Sequence, residues 1–434
     1  MTEQMNVPKL RFGGFSGGLL VTRLSEIINK LESGVSVNSE DVPPNSNENG
    51  VLKTSAIYAG SFNPEQAKVI TDSSELQRAR LNPKKDSIII SRMNTPALVG
   101  ESGYISKDYP NLFIPDRLWQ ATVSSQHCAR WLSFLLTSPR TRFIISSKGT
   151  GTSNSMKNIS KPSFLSIDAV TPTLPEQQKI ASFLSKVDEK IGLLSEKKDK
   201  LTEYKRGVMQ QLFNGKWHEQ DGQLTFVPPT LRFKADDGCE FPDWEEKTLG
   251  DVSNHITYGL TVRPNFVENG IPLISAREIT SGVPMYNKAP MISSETFDKL
   301  SSKAKPQVGD IFLSKTGTIG FSAMHTLSSK VAITQNIAVI RITEPNLVSA
   351  DYVLHYLKTT SFLKSAIARV NQSTIMDLQL GDIKKLRLPL PSSVAEQQKV
   401  AQFISKIDQK IGLATTELET TKEWKKGLLQ QMFV

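Results

Sequence analysis

The stretch EQQKIASFLSKVDEKIG, residues Glu176–Gly192, occurs a second time as EQQKVAQFISKIDQKIG, residues Glu396–Gly412. The two copies begin 220 residues apart in a chain of 434 residues. Weaker echoes precede both copies, for example LRF at Leu10–Phe12 and again at Leu231–Phe233. A repeat spacing of about half the chain is typical of a duplicated architecture and not of a short-period solenoid. The sequence therefore predicts two similar halves.

Apolar residues in both copies follow an alternating spacing of four and three, which is the heptad pattern of helices that pair along one seam. Thr173 with Glu176, and Ser393 with Glu396, fit the capping box of a helix start. We expect two long helices that pair with each other in antiparallel orientation; a parallel pair, and helices that each pack on their own domain, are the alternatives. The predicted interface residues are Ile180, Leu184, Val187, Ile191, Leu194, Leu201 and Val208 in the first helix, and Val400, Ile404, Ile407, Ile411, Leu418 and Leu428 in the second.

The segments before each helix mix short apolar runs of strand character with amphipathic helical runs, which predicts an α+β class. Strands are expected at 86–92, 310–315 and 336–343, single helices at 129–146 and 350–369, and an exposed loop at 36–50. The predicted domains are 1–172 and 216–392, with spacer helices at 173–215 and 393–434.

Composition favours an anionic partner and no membrane. The formal net charge is +9, of which the two helical copies carry only +3 together, so most of the charge lies in the domains. An excess of positive charge without lipid-binding features indicates nucleic acid. No long apolar run or signal peptide is present, so a cytoplasmic location is expected. Two cysteines exclude a disulfide framework and a four-cysteine zinc site.

Small polar loops follow the predicted central strands, and their amides and hydroxyls suit phosphates or base edges. In the second half this loop is SKTGTIG (Ser314–Gly320), and in the first half it is SRMNTPALVG (Ser91–Gly100). A second matched polar pair is TSNS (Thr152–Ser155) and NQST (Asn371–Thr374); ordinary hairpins are the alternative for all of these loops. The candidate DNA-contacting residues are Arg92, Asn94, Thr95, Ser153, Asn154, Arg263, Arg277, Lys315, Thr316, Thr318, Asn371, Gln372 and Ser373.

Sequence signatures of catalysis are missing from the chain. It has no GxxxxGK[ST] loop, no GxGxxG turn and no motif for amino-methylation of a base, and its five histidines show no metal-ligand spacing. No catalytic residue, metal site or cofactor site is predicted. A stand-alone methyltransferase or nuclease is therefore disfavoured.

Two variable domains, each followed by a helix that opens with a proline and then E-Q-Q-K-[IV]-A and closes with G-x-x-Q-Q-x-F, resemble the DNA-specificity subunit of a type I restriction-modification system. The resemblance spans the whole chain. One departure is that the second half opens with FPDWEEKTLGDV (Phe241–Val252), whereas FSGGLLVTRLSEI (Phe15–Ile27) in the first half lacks the Trp and the acidic pair.

The resemblance implies that each domain reads one half of a bipartite duplex sequence, while the helices set the gap between the half-sites and dock two methyltransferase subunits. S-adenosylmethionine, ATP and Mg would then belong to partner subunits, among them the restriction and translocase subunits. A coiled-coil scaffold that joins two protein-binding domains without DNA recognition is the alternative, and salt-dependent duplex binding discriminates between the two.

Overall fold

A computed structural model describes residues 7–153, 156–220, 223–370 and 376–433. The chain divides into two compact units, each of which contains part of both long helices. Unit 1 comprises residues 1–196 and 415–434, and unit 2 comprises residues 197–414. In the part of the chain that is described, no helix is long and apolar enough to cross a membrane.

Unit 1 combines short strands with short helices and the first part of a long helix. Its strands are β1 (Leu20–Arg23), β2 (Ile28–Ser33), β3 (Gly50–Leu52), β4 (Ile57–Tyr58), β5 (Ser61–Phe62), β6 (Ala67–Val69), β7 (Ser87–Ser91), β8 (Met93–Asn94), β9 (Ser102–Tyr104), β10 (Leu112–Phe113), β11 (Leu118–Val123), β12 (Thr150–Ser153), β13 (Met156–Asn158) and β14 (Asp168–Thr171). Its helices are α1 (Leu24–Ile27), α2 (Ser73–Arg78), α3 (Ala129–Thr137), α4 (Pro139–Ser147), α5 (Lys161–Leu165) and α6 (Leu174–Phe213), which continues into unit 2.

Unit 2 repeats this mixture. Its strands are β15 (Lys216–Gln220), β16 (Gln223–Val227), β17 (Trp244–Thr248), β18 (His255–Tyr258), β19 (Phe266–Val267), β20 (Ile271–Ile274), β21 (Met291–Ile292), β22 (Ile311–Ser314), β23 (Ser322–Met324), β24 (Ala332–Ile333), β25 (Ile337–Arg341) and β26 (Arg387–Pro391). Its helices are α7 (Leu249–Val252), α8 (Ser294–Asp298), α9 (Ala350–Leu357), α10 (Thr360–Ile367), α11 (Leu380–Lys384) and α12 (Val394–Met432), which continues into unit 1.

Two sheets occur in both units. A four-stranded antiparallel sheet has the order β2-β11-β7-β9 in unit 1 and β18-β25-β22-β23 in unit 2. The pairs β1–β14 and β17–β26 are both antiparallel, and they lie just before the long helices. The strand pair therefore forms in unit 1 without the Trp and acidic pair of unit 2. This common frame confirms the α+β class and the internal duplication.

Runs of apolar residues place the central strands inside the cores. Ile88, Ile89 and Ile90 of β7 are fully buried, and so are Ile311, Phe312 and Leu313 of β22. Alternate residues along each strand point to opposite faces of the sheet, so a strand that is apolar throughout is covered on both faces. Accordingly, Ile89 belongs to a different hydrophobic cluster from Ile88 and Ile90. The strands expected at 86–92, 310–315 and 336–343 are thus confirmed.

The single helices expected at 129–146 and 350–369 are wrong, because each is broken into two. Ser138 has extended backbone and accepts a hydrogen bond from the Thr141 amide, which starts α4 with Pro139 in its first turn. Thr359 caps α10 in the same way by accepting from the Phe362 amide. A hydroxyl cap within an amphipathic run ends one helix and begins the next.

The two long helices run antiparallel where they meet within unit 1. Asp188 of α6 pairs with Lys425 of α12 at 2.6 Å, and Lys190 pairs with Glu417 at 3.2 Å, so residue numbers rise along one helix as they fall along the other. Within unit 2, Lys205 of α6 pairs with Asp408 of α12 at 2.6 Å. This is the same ion pair shifted by 220 residues, with the roles of the helices exchanged.

Most residues predicted for the helix seam are buried. Ile191, Leu201 and Ile411 are only half-buried, and the buried ones are Ile180, Leu184, Val187, Leu194, Val208, Val400, Ile404, Ile407, Leu418 and Leu428. Toward the helix ends these side chains also join the core of the attached domain. Leu184 and Leu428, for example, share a cluster with Trp131 of unit 1. The apolar seam therefore packs against domain residues as well as against the other helix.

The glutamate of each EQQ motif bonds an arginine from the upstream LRF segment. Both oxygens of Glu176 accept from Arg11, at 2.6 and 2.8 Å, and both oxygens of Glu396 accept from Arg232, at 3.0 and 2.8 Å. Both carboxylates are buried. The hydrogen bonds to Glu396 and to Glu176 raise the pKa of the two arginines above its ordinary value. The repeated glutamate thus fixes the segment that precedes each domain.

The first glutamine of each EQQ motif fixes the start of a domain helix. The Gln177 amide oxygen accepts from the Cys128 backbone at 2.8 Å, and its nitrogen donates to the Pro172 carbonyl at 2.8 Å. Gln397 makes the corresponding bonds to the Ser349 backbone at 2.7 Å and to the Pro391 carbonyl at 2.8 Å. Buried amides of this kind lock neighbouring segments together, since an unmade bond there is costly.

Candidate nucleic-acid interface

In unit 2 the predicted polar loop joins β22 to β23. The hairpin is closed by Ser314, whose amide donates to the Phe321 carbonyl at 2.8 Å and whose hydroxyl accepts from the Phe321 amide at 2.9 Å. Gly317 and Gly320 have φ of +77° and +98°, in the left-handed region that favours glycine. The two glycines of SKTGTIG therefore set the path of this loop.

The segment that follows residues 371–375 pairs with this loop. Leu378 donates its amide to the Lys315 carbonyl at 2.8 Å, and Gly317 donates to the Met376 carbonyl at 2.8 Å. Thr316 and Asp377 lie opposite each other as an antiparallel bridge. Two polar segments that are distant in sequence therefore lie side by side and can contribute to one surface.

Side chains reinforce this pairing through Asp377. Lys315 Nζ lies 2.6 Å from Asp377 Oδ1 and 3.3 Å from Thr316 Oγ1, and Thr316 and Gln379 also donate to the Asp377 carboxylate. The Lys315 side chain is only 9% exposed. Burial alone would raise the pKa of Asp377, but the hydrogen bonds from Lys315 and Thr316 hold it below its usual value. The partly exposed carboxylate of Asp377 thus already neutralises Lys315.

Unit 1 builds the corresponding surface from different side chains. Met93 and Asn94 of β8 pair with Asn158 and Lys157 of β13, and the Arg92 carbonyl accepts from the Ile159 amide at 3.0 Å. Arg92 therefore occupies the place of Lys315, and Asn158 that of Asp377. In both units the loop after the central strand thus pairs with the residues that follow the second polar stretch.

No ion pair matches Lys315–Asp377 at this place in unit 1. Arg92 Nε and Asn158 Oδ1 are buried and have no hydrogen-bond partner among the described residues. Among the described residues, the carboxylate that pairs with Arg92 is that of Asp116, at 3.9 Å, which is a weak contact. The two units share a backbone frame and differ in the polar chemistry that they place on it.

The comparisons with known proteins agree with this duplicated frame. The model of the type I restriction modification DNA specificity domain matches twice, at residues 20–203 and 242–423, and so covers most of the chain. The chain belongs to this family. Residues 20–203 are the first specificity domain and residues 242–423 the second.

Similar proteins include two from Methanocaldococcus jannaschii. The chain is 28% identical over 210 residues to a putative type I restriction enzyme MjaX specificity subunit, across 46% of this chain and 48% of that protein. It is 23% identical over 295 residues to the type I restriction enzyme MjaVIII specificity subunit, across 65% of this chain and 64% of that protein. The chain thus spans less than two thirds of either relative.

A solved structure shows the same fold. The S subunit of a type I restriction-modification system from M. genitalium superposes with a TM-score of 0.59, covers 99% of both chains and is 16% identical. At this level of identity the likeness concerns the fold. It extends over both specificity domains and both long helices.

Other predicted contact residues of the specificity domains lie on neighbouring loops. Asn94 is half-buried and donates to the Ser91 hydroxyl at 3.3 Å, while Thr95 is exposed. In the second domain, Thr318 is exposed at the tip of the hairpin. Asn154, Asn371, Gln372 and Ser373 fall outside the described residues, as does the side chain of Ser153 at the end of β12.

Arg263 and Arg277 of the second specificity domain lie on two further segments. Arg263 is exposed after β18 and lies 5.9 Å from the ring centroid of Phe266, which is half exposed. Arg277 is exposed on a short 3-10 helix, Ala276–Ile279. Neither forms an ion pair with another described residue. An exposed arginine beside an aromatic ring suits contacts to a nucleic-acid backbone.

Sequence reasoning missed Asp377 and Asn158. The signal available in the sequence was the correspondence between the two halves in the residues that follow TSNS and NQST. A spacing of 220 residues pairs Ser153 with Ser373, whereas the structure pairs Asn158 with Asp377, a spacing of 219.

Proposed function

We propose that this chain is the sequence-specific, double-stranded-DNA-binding specificity subunit of a type I restriction-modification complex. Each specificity domain reads one half of a bipartite target. The observation that carries this proposal is the frame built twice with different polar side chains, Lys315 with Asp377 in one domain and Arg92 with Asn158 in the other. Two copies of one frame with different side chains suit two different half-site sequences, since base edges are distinguished by their donors and acceptors.

The long helices then have two roles. They set the number of unspecified base pairs between the half-sites, and they dock two methyltransferase subunits. The ion pair that recurs in each unit, Asp188 with Lys425 and Lys205 with Asp408, supports this, because the same contact between the helices occurs once per unit. Identical partners bind where identical surfaces are repeated.

Catalysis belongs to the partners in this proposal. The chain itself is non-catalytic and acts in the cytoplasm, while S-adenosylmethionine, ATP and Mg are bound by methyltransferase and restriction or translocase subunits. The absence of catalytic sequence motifs supports this division of labour.

Duplex binding by the purified chain tests the proposal against the scaffold alternative. The affinity for a fluorescent duplex is measured between 50 and 200 mM salt. A specificity subunit that contacts several phosphates loses affinity by orders of magnitude over this range. A chain that shows no salt-dependent duplex binding supports the scaffold that joins two protein-binding domains.

Exchange of residues 1–172 for another recognition domain tests whether the two readers are independent. The expected outcome is that one half-site of the methylated sequence changes and the other remains. A simultaneous change of both half-sites contradicts separate reading by the two specificity domains.

A further inference from the structure

We infer that Lys315 and Asp377 form a positioning pair that sets which half-site the second specificity domain accepts, and that Lys315 is not a free phosphate ligand. This inference rests on the proposed function. The pair links the hairpin loop, which was predicted to contact DNA, to the segment that follows residues 371–375. Lys315 Nζ lies 2.6 Å from Asp377 Oδ1.

Burial separates this role from phosphate binding. Only 9% of the Lys315 side chain is exposed, and its ammonium already has a carboxylate partner. A phosphate would have to displace Asp377 and leave that carboxylate without its cation, which is unfavourable. Lysines that contribute to the salt dependence of DNA binding instead offer an unpaired charge to the backbone.

The contacts of Asp377 show how the pair positions the surface. Its carboxylate accepts from Lys315, Thr316 and Gln379, while Leu378 donates its amide to the Lys315 carbonyl at 2.8 Å. One carboxylate thus gathers side chains from the hairpin and from the returning segment. A change at Asp377 therefore frees side chains of both segments at once, while the backbone hydrogen bonds between the segments remain.

The first specificity domain provides an internal comparison. There Asn158 stands in place of Asp377, and Arg92 in place of Lys315, without a hydrogen bond between their buried Nε and Oδ1 atoms. The backbone pairing is nevertheless kept, since the Arg92 carbonyl accepts from the Ile159 amide at 3.0 Å. The frame therefore forms without the ion pair, so the pair in the second domain adjusts the position of side chains and is not required for folding.

The test uses the full chain with its methyltransferase partner and three variants: Lys315→Met, Asp377→Asn, and both together. Three duplexes are compared: the target found by mapping the methylation of the wild-type complex, and two in which one or the other half-site is scrambled. Positioning predicts that each single variant loses about tenfold or more of the discrimination at one half-site, and that the double variant loses no more than either single variant. The salt slope stays unchanged.

Phosphate binding by Lys315 predicts a different pattern. Lys315→Met would then weaken binding to all three duplexes equally and lower the salt slope by about 0.9, while Asp377→Asn would free the lysine and tighten binding. That result overturns the inference. Unchanged discrimination in both single variants overturns it as well.

Matched controls come from an exposed ion pair in the same unit. Glu295 and Lys299 lie 2.7 Å apart with side chains 78% and 74% exposed. Glu295→Gln and Lys299→Met make the same charge changes, and they are expected to leave the discrimination intact.

Exchange of the two charges, Lys315→Asp with Asp377→Lys, keeps an ion pair and is expected to recover part of the discrimination. If the wild-type complex binds no duplex, the proposed function itself fails. If the wild-type complex binds its target and the variants at Lys315 and Asp377 discriminate as well as it does, only the positioning role fails.

Discussion

Removal of the arginine that bonds the EQQ glutamate is expected to destabilise unit 2 strongly. The Glu396 side chain is fully buried, and its two oxygens accept from Arg232 at 3.0 and 2.8 Å. Arg232→Met keeps most of the aliphatic stem and removes the guanidinium. The carboxylate then stays buried without a cation, which costs about 3–5 kcal/mol in comparable buried pairs.

Two further variants separate the ion pair from general damage. In Glu396→Gln the remaining Arg232, with 16% of its side chain exposed, can turn toward water, so the expected cost is smaller. The double variant removes both charges and should be more stable than Arg232→Met alone. The exposed pair Lys299–Glu295 is the control, for which Lys299→Met should cost under about 0.5 kcal/mol.

Hydrogen exchange measured on peptides from the first turns of α12 is the suitable assay, because a chain of two units need not unfold in one step. The expected result is that these amides exchange faster in Arg232→Met than in the wild type. The increase should correspond to most of the roughly 3–5 kcal/mol expected for loss of the ion pair. A cost of under about 1 kcal/mol, similar to the control, would show that this buried contact acts like a surface ion pair and would refute the reasoning.

Three further outcomes are expected. Gly192→Ala and Gly412→Ala should each stabilise the long helices by up to about 1 kcal/mol in thermal unfolding, because an added Cβ meets no atom within 4 Å; a loss of stability contradicts this. Burial, aided by Lys358, lowers the pKa of His355 from 6.5 to about 4, so the folded chain keeps it neutral and unit 2 should lose stability as the pH falls from 6.5 to 4. Phe134 is the residue of unit 1 that corresponds to His355. His355→Phe should therefore remove this dependence of stability on pH, and a dependence that persists contradicts the prediction. A heptad inserted in the middle of each long helix adds about 10.5 Å, which is the length of roughly three base pairs. Sites that remain methylated should then have a wider gap between their half-sites. An unchanged gap in an active complex shows that the helices do not set this spacing.

The fold was predictable where one periodic pattern dominates. The heptad spacing predicted helices that the structure places at Leu174–Phe213 and Val394–Met432. The isoleucine run of β7 predicted a strand, because β-branched residues favour extended backbone. The break at Thr359 escaped prediction because a hydroxyl within an amphipathic run can also lie in the interior of a helix. The break at Ser138 had a sequence signal in Pro139, which the prediction of a single helix overlooked.

The site was predictable only in part. The polar loop after β22 was found because its residues are contiguous in sequence. Asp377 was not found, since it meets Lys315 from 62 residues away. The same holds for Glu176, which fits a local capping box but bonds Arg11, 165 residues upstream. Contacts of this range depend on the tertiary fold, and a single sequence carries no direct signal for them.

Sequencing of methylated bases in a host that expresses this chain with its methyltransferase partner tests the central claim most directly. One bipartite motif is expected, with two specified half-sites of different sequence separated by a fixed number of unspecified base pairs. Exchange of one specificity domain should then change one half-site only. Methylation at a single continuous motif, or methylation that does not depend on this chain, would contradict the account.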